Sequence, residues 1–211
     1  MFQFENEKFA LVVANGENLS KQLLLIIIQK SDFILAADGG ANYLKQIDII
    51  PDAVIGDFDS VVTTSFPKDV QIISRPSQQI NDLEKSIVYL IDSGYDNIVL
   101  TGVHGKRDDH FFAALQLMKQ YNSKVTIFIV TDHSEIFMLT PGEHLLKMEQ
   151  GTMVSLLGFD QAYNIWTENL QYPLRGENLF ESSRGLSNVS ISNEIKIEFD
   201  KGILLVFRNL T

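Results

Sequence analysis

The sequence predicts an α/β fold, a mainly parallel sheet flanked by helices, followed by a small antiparallel β domain. Three observations carry this expectation. Between residues 9 and 130, short continuous apolar runs alternate with amphipathic segments, the pattern of strands buried on both faces and joined by crossover helices. After Pro141-Gly142 the helical period stops, and β-rich runs punctuated by Gly, Asn and Asp take over. Acidic residues follow apolar runs at Asp38, Asp57, Asp59 and Asp109, where a site beyond the carboxyl ends of parallel strands would draw its side chains. The expected domains are residues 1–141 and 142–211.

The elements follow in order. Residues 9–14 (FALVVA) form a first buried strand that stops at Asn15-Gly16. Residues 20–30 are long enough for a helix, although Ile26-Ile27-Ile28 equally suits a strand. Residues 33–37 give a second strand ending in Asp38-Gly39-Gly40, whose glycines permit a sharp turn or a close approach to a ligand before a short helix near residues 41–46. The third strand opens residues 51–60 (PDAVIGDFDS), and residues 70–74 give a fourth. Asn81 and Glu84 have the spacing of a capping box, and Leu83, Ile87, Leu90 and Ile91 share a face of the helix that runs to about Asp92. Residues 97–102 form a fifth strand. The next helix spans residues 109–121, with Phe111, Leu115 and Met118 on its buried side, before a strand at residues 125–130; in the plainer reading of its start, Asp108 is an N-cap and the neighbouring charges are solvated. In the β domain the runs are residues 153–157, 189–191, 195–199 and 203–207, with Asp200-Lys201-Gly202 as a tight connection between the last two.

Composition narrows the function. At 211 residues the chain can bury a substantial core, and 45% hydrophobic with 21% charged residues is ordinary for a globular protein. Lys+Arg 17 against Asp+Glu 27 gives a net charge of -10, which argues against nucleic acid or an anionic membrane as a partner and favours a cationic small molecule. Without cysteine there is no disulfide framework, thiolate metal site or cysteine nucleophile. The first ten residues lack a signal-peptide pattern, and the most apolar segment, residues 23–28, falls far short of a membrane span. The expectation is a cytoplasmic protein.

Two stretches can carry chemistry. Asp57 and Asp59 alternate along an extended backbone and so point the same way, an oxygen-only pair suited to Mg²⁺ and through it to phosphate; an Asp-rich turn after a strand fits the same residues. The run His104-Gly105-Lys106-Arg107-Asp108-Asp109-His110 brings cations, carboxylates and a glycine to a helix start. There Lys and Arg can neutralise phosphate while Asp109 joins a metal shell.

Taken together, residues 37–44 (ADGGANYL), 51–60, 81–87 (NDLEKSI) and 102–110 (GVHGKRDDH) resemble, in order and spacing, the thiamine pyrophosphokinase family. Residues 169–174 (NLQYPL) and 185–188 (GLSN) resemble its thiamine-binding domain, so the likeness covers nearly the whole chain. The resemblance implies an α/β catalytic domain followed by a β-sandwich, a homodimer, and Mg²⁺-dependent transfer of pyrophosphate from ATP to thiamine. It implies that Asp57, Asp59, Asp82 and Asp109 are the metal and catalytic carboxylates, that Arg107 contacts phosphate, and that Asp38, Gly39, Gly40, Ser60 and Gly105 line the nucleotide site; Lys106 beside them either adds a phosphate contact or points to solvent. Tyr172 falls where the family carries an aromatic near thiamine, with Trp166 as the second candidate, and Ser187-Asn188 match its Ser-Asn pair. Departures occur at Gln79, Asn81, Lys106 and Ala114, where the family usually carries an acid, Thr, Gly and Asn. Two other readings are a phosphatase of the haloacid dehalogenase type, which also places DxD after a strand and would take Val61 and Lys85 for its later roles but leaves ADGGANYL and GLSN unexplained, and a non-catalytic nucleotide-binding dimer.

Overall fold

The computed structural model describes residues 8–56, 66–180 and 183–210. Asp57, Asp59 and Ser60 lie outside the described residues. The chain divides into two compact units between Asp132 and His133.

In the N-terminal unit six strands, β1 (Ala10–Val13), β2 (Phe33–Ala37), β3 (Ala53–Gly56), β4 (Gln71–Ser74), β5 (Asn97–Thr101) and β6 (Thr126–Val130), pair in the order β4-β3-β2-β1-β5-β6. Each of these pairs is parallel. The apolar runs form strands because helices α1 (Lys21–Ile28), α2 (Gly40–Gln46), α3 (Asp82–Asp92) and α4 (Asp108–Tyr121) make the crossovers. β1, β3 and β5 are buried throughout, whereas edge strand β4 is mostly exposed. Side chains such as Leu11, Leu35 and Leu100 have 0% exposure, and each contributes about 1.5–3 kcal/mol of burial.

Residues 20–30 resolve to helix α1, which buries Leu24 and Ile27. Both edges of β1 are already paired, Val12 opposite Leu35 on one side and Leu100 on the other, so a strand here would find no partner beside β1. The chain lays β2, β3 and β4 outward on one side of β1, then returns to place β5 on the other. At such a reversal the loops leaving the two central strands diverge and open a crevice.

The C-terminal unit is antiparallel: β7 (Ser134–Leu139), β8 (Gly142–Lys147), β9 (Met153–Glu168), β10 (Arg175–Leu179), β11 (Asn188–Val189), β12 (Glu194–Phe199) and β13 (Lys201–Asn209). The division falls before residue 142 because β7 pairs in register with β13, from Ser134↔Asn209 to Leu139↔Leu204. Long strand β9 pairs along its first part with β13 and along its end with β12. Asp200-Lys201-Gly202 is therefore a corner and not a hairpin: β12 and β13 flank different stretches of β9. Gly202 has φ +96, and a Cβ there would sit 2.2 Å from the Gln161 carbonyl oxygen, so close packing of the corner on β9 requires glycine.

Candidate active-site cleft

A cleft of about 450 Å³ lies beyond the carboxyl ends of β1, β2 and β5, lined by Asn15, Asp38, Asp82, Lys85, His104, Lys106 and Arg107 among others. Glycines hold the β1 and β5 loops together. Gly16 N–H donates to the Gly102 carbonyl at 2.5 Å, and a Cβ on Gly16 would stand 2.3 Å from that oxygen. Gly102 itself has φ +70.

Gly39 and Gly40 serve the protein's own packing. A Cβ on Gly40 would lie 2.0 Å from the Val13 carbonyl oxygen, and one on Gly39 2.3 Å from the Asn15 side-chain nitrogen. Their missing side chains let α2 start directly against the end of β1. Asp38, just before them, is half-buried on the cleft wall, with its N–H on the Ile55 carbonyl at 2.8 Å. Its φ of 40 is a left-handed conformation uncommon outside glycine and tolerated best by Asn and Asp.

Asn81 caps α3 as expected, accepting from Glu84 N–H at 2.8 Å. The reciprocal half of the capping box is not made. The Glu84 carboxylate instead accepts from Tyr121 Oη at 2.8 Å and Gln120 Nε2 at 3.0 Å, tying α3 to α4, because those donors face it across the packed helices. Asp82 in the first turn pairs through Oδ1 with Lys85 Nζ at 2.8 Å. The Lys85 side chain is only 5% exposed, while Asp82 retains 26%. Lys85 lines the cleft, although the sequence offered it only as the downstream lysine of the phosphatase reading. The available signal was its i,i+3 spacing from Asp82, which puts both on one helix face.

Helix α4 begins at Asp108, so Arg107 occupies the cap position and Asp108 does not; no side chain caps this end. Arg107 grips Asp109 through Nε at 3.0 Å and a terminal nitrogen at 2.5 Å. This hydrogen-bonded pairing holds the Asp109 carboxyl below the usual carboxylate range and raises Arg107. Lys106 Nζ reaches Asn15 Oδ1 at 3.4 Å. Gly105 has φ +88 and sits against the Glu17 side chain. His104 places Nε2 3.8 Å from a Glu17 carboxylate oxygen and its ring edge-on to Phe111 at 6.3 Å.

Of the expected nucleotide-site residues, Asp38, Asp82, Lys106 and Arg107 line one cleft, with Asp109 joined to it through Arg107. Asp38 and Asp82 offer the hard oxygen donors that suit Mg²⁺; among the described residues no three His, Asp or Glu side chains are grouped to hold a metal.

In the C-terminal unit Tyr172 is 53% exposed and Trp166 45%. The Trp166 Nε1–H donates to Asn164 Oδ1 at 2.9 Å. Ser187 is exposed in a left-handed conformation, φ 53, with its N–H on Ser155 Oγ at 3.0 Å. Asn188 is 3% exposed, and its carboxamide is engaged with the backbone at Tyr172.

A parallel sheet with a switch-point cleft holding carboxylates, a buried ammonium and helix-start cations defines an α/β enzyme that handles phosphate. Comparison with known proteins gives the family. The model of the thiamin pyrophosphokinase catalytic domain matches residues 24–129, and that of the thiamin pyrophosphokinase vitamin B1 binding domain matches residues 143–204. The thiamine pyrophosphokinase of Bacillus subtilis (strain 168) is 26% identical over 184 residues, 83% of this chain and 86% of that one. The crystal structure of a thiamine pyrophosphokinase from Bacillus subtilis superposes with a TM-score of 0.83 at 22% identity, covering 96% of this chain and 99% of the other. That of Candida albicans gives 0.85 at 20% identity, covering 97% and 90%. The chain belongs to the thiamin pyrophosphokinase family and is an enzyme of that family's activity. The phosphatase and non-catalytic readings gain no support from these matches.

Proposed function

We propose that this enzyme transfers pyrophosphate from ATP to the hydroxyl of thiamine, giving thiamine diphosphate and AMP, as a cytoplasmic homodimer. The N-terminal unit binds the nucleotide and the C-terminal unit, read as a β-sandwich, binds thiamine. The observation that carries this reading is the β1/β5 switch-point cleft, lined by Asp38, Asp82, Lys85 and Arg107, inside the segment that matches the family's catalytic domain.

Lys85, Lys106 and Arg107 offset the charge of the phosphate chain, Lys85 most strongly because its surroundings exclude water. The thiamine hydroxyl oxygen bonds to the β-phosphorus, the bond from that phosphorus to the bridging α–β oxygen breaks, and AMP leaves with that oxygen. The hydroxyl proton passes to a carboxylate. Asp109 is a weak base for this step, since Arg107 holds its carboxyl low. Asp57 and Asp59, with Asp82 and Asp109, would hold Mg²⁺, whose chemistry here is neutralising and polarising phosphate oxygens. Tyr172 stacks on the cationic aromatic ring of thiamine.

Incubating the purified chain with ATP, Mg²⁺ and thiamine, then identifying products by mass spectrometry, tests this directly. AMP and thiamine diphosphate are expected in equal amounts, and both should vanish in Asp57→Asn and Asp59→Asn proteins that still fold. ATP binding with no AMP above background, or orthophosphate released from a monoester, overturns it.

A further inference from the structure

We infer that Asn188 is a positioning residue: its buried carboxamide clamps the backbone of Tyr172 and so sets the aromatic face that meets thiamine, without touching thiamine itself. The inference rests on the reading of Tyr172 as the stacking residue.

Asn188 Oδ1 accepts the Tyr172 N–H at 3.0 Å, and Asn188 Nδ2 donates to the Tyr172 carbonyl at 2.7 Å. One planar amide thus satisfies both backbone groups of one residue, as a neighbouring strand would. The same Oδ1 also accepts from Val189 N–H at 2.9 Å, which fixes the carboxamide relative to β11. With 3% exposure, Asn188 has little surface left for a ligand. Its partner presents the opposite picture, since Tyr172 is 53% exposed and lies in the connection between β9 and β10, outside any strand. The flanking chain is held separately. Gln171 N–H bonds to the Val189 carbonyl at 2.9 Å, and Leu174 N–H to Thr167 Oγ1 at 2.8 Å. The clamp is therefore the device that fixes the tyrosine's backbone between these anchors, while Gln171 Nε2 donates to its hydroxyl at 3.3 Å. Neither Ser nor Asp can replace it: a serine hydroxyl is too short to span both groups, and an aspartate sets an oxygen against the Tyr172 carbonyl oxygen.

Two measurements on Asn188→Ala and the near-isosteric Asn188→Asp test this. In ligand-free Asn188→Ala, hydrogen exchange at the Tyr172 amide should accelerate while the Leu174 amide stays protected; Asn188→Asp keeps an acceptor for that amide and removes only the donor to the Tyr172 carbonyl. In steady-state kinetics the KM for thiamine should rise about tenfold, the scale of one lost backbone anchor, with the KM for ATP unchanged. Tyr172→Ala should give a similar rise, and the Tyr172→Ala/Asn188→Ala double variant should be no worse than Tyr172→Ala alone. Unchanged exchange at Tyr172 in Asn188→Ala overturns the clamp. Faster exchange with an unchanged thiamine KM in the Asn188 variants, or fully additive effects in the double variant, overturns the positioning role. If Tyr172→Ala alone leaves the thiamine KM unaltered, the stacking reading fails, and the exchange data still report separately whether the clamp exists.

Discussion

At the scale of single residues, the cleft is shaped by groups whose alternatives have nowhere to go. Lys85 is the sharpest case, an ammonium with 5% exposure whose ion-pair partner is Asp82. Removing one member of a buried pair typically costs about 3–5 kcal/mol, but Asp82 keeps enough contact with solvent that about 1–2 kcal/mol is expected here. Lys85→Met should lower thermal stability by that amount and weaken ATP utilisation by about tenfold or more in kcat/KM. Asp82→Asn/Lys85→Met should recover much of the stability and none of the activity, since the isolated charge is gone but the phosphate contact is not restored. Unfolding curves and ATP saturation kinetics on the three proteins check both halves. Gly40 gives a prediction of another kind. Its added Cβ would meet the Val13 carbonyl oxygen at 2.0 Å, a backbone atom that cannot rotate away. Gly40→Ala should therefore destabilise the N-terminal unit by about 1–3 kcal/mol, read from denaturant unfolding.

At the scale of elements, α3 shows what one hydrogen bond at a helix end contributes. Asn81 occupies the cap by accepting from Glu84 N–H, so Asn81→Ala should cost about 0.5–2 kcal/mol, measured by urea unfolding. Asn81→Thr should cost much less. In the N-terminal unit most strands were legible in sequence because burial on both faces leaves short uninterrupted apolar runs, such as Leu11-Val12-Val13 and Ile98-Val99-Leu100. In the C-terminal unit they were not. β7, β8 and β10 were not read as strands: the apolar run of β7 is only Ile136-Phe137-Met138-Leu139, and polar residues dominate β8 and β10. The length of β9 was hidden by irregular register with β13 around Gly158 and Asp160, which breaks the alternation that marks a strand. Asp38, Asp82, Lys106 and Arg107 could be placed at the cleft by where they follow strands or start helices. The clamp at Asn188 could not, because it depends on packing between segments that sequence spacing does not reveal, and although the spacing of Lys85 from Asp82 was visible, its burial was not.

At the scale of the whole molecule, stability is tied to pH through a charge pair that the reaction does not use. Glu135 on β7 faces Arg208 on β13 in direct register, and the two are ion-paired, with Arg208 also donating to the Lys147 carbonyl at 2.9 Å. Glu135 has no exposure, and its Oε1 lacks a hydrogen-bond partner among the described residues. Burial outweighs the attraction of Arg208 and pushes the Glu135 carboxyl up to about 7. A carboxyl whose folded value lies above its unfolded one binds its proton more tightly in the folded state. Its contribution to stability is thus complete below the unfolded value of 4.5 and is lost as pH rises through about 7. Many other carboxylates titrate as well, so the informative quantity is a difference. Glu135→Gln mimics the protonated form, keeps the shape, and removes this one titration. The stability of the natural protein minus that of Glu135→Gln should fall steadily between pH 5 and about 8, followed by denaturant unfolding of the C-terminal unit. A difference that stays flat across this range would mean that Arg208 holds Glu135 ionised throughout, and that attraction between the two charges outweighs the cost of burying them.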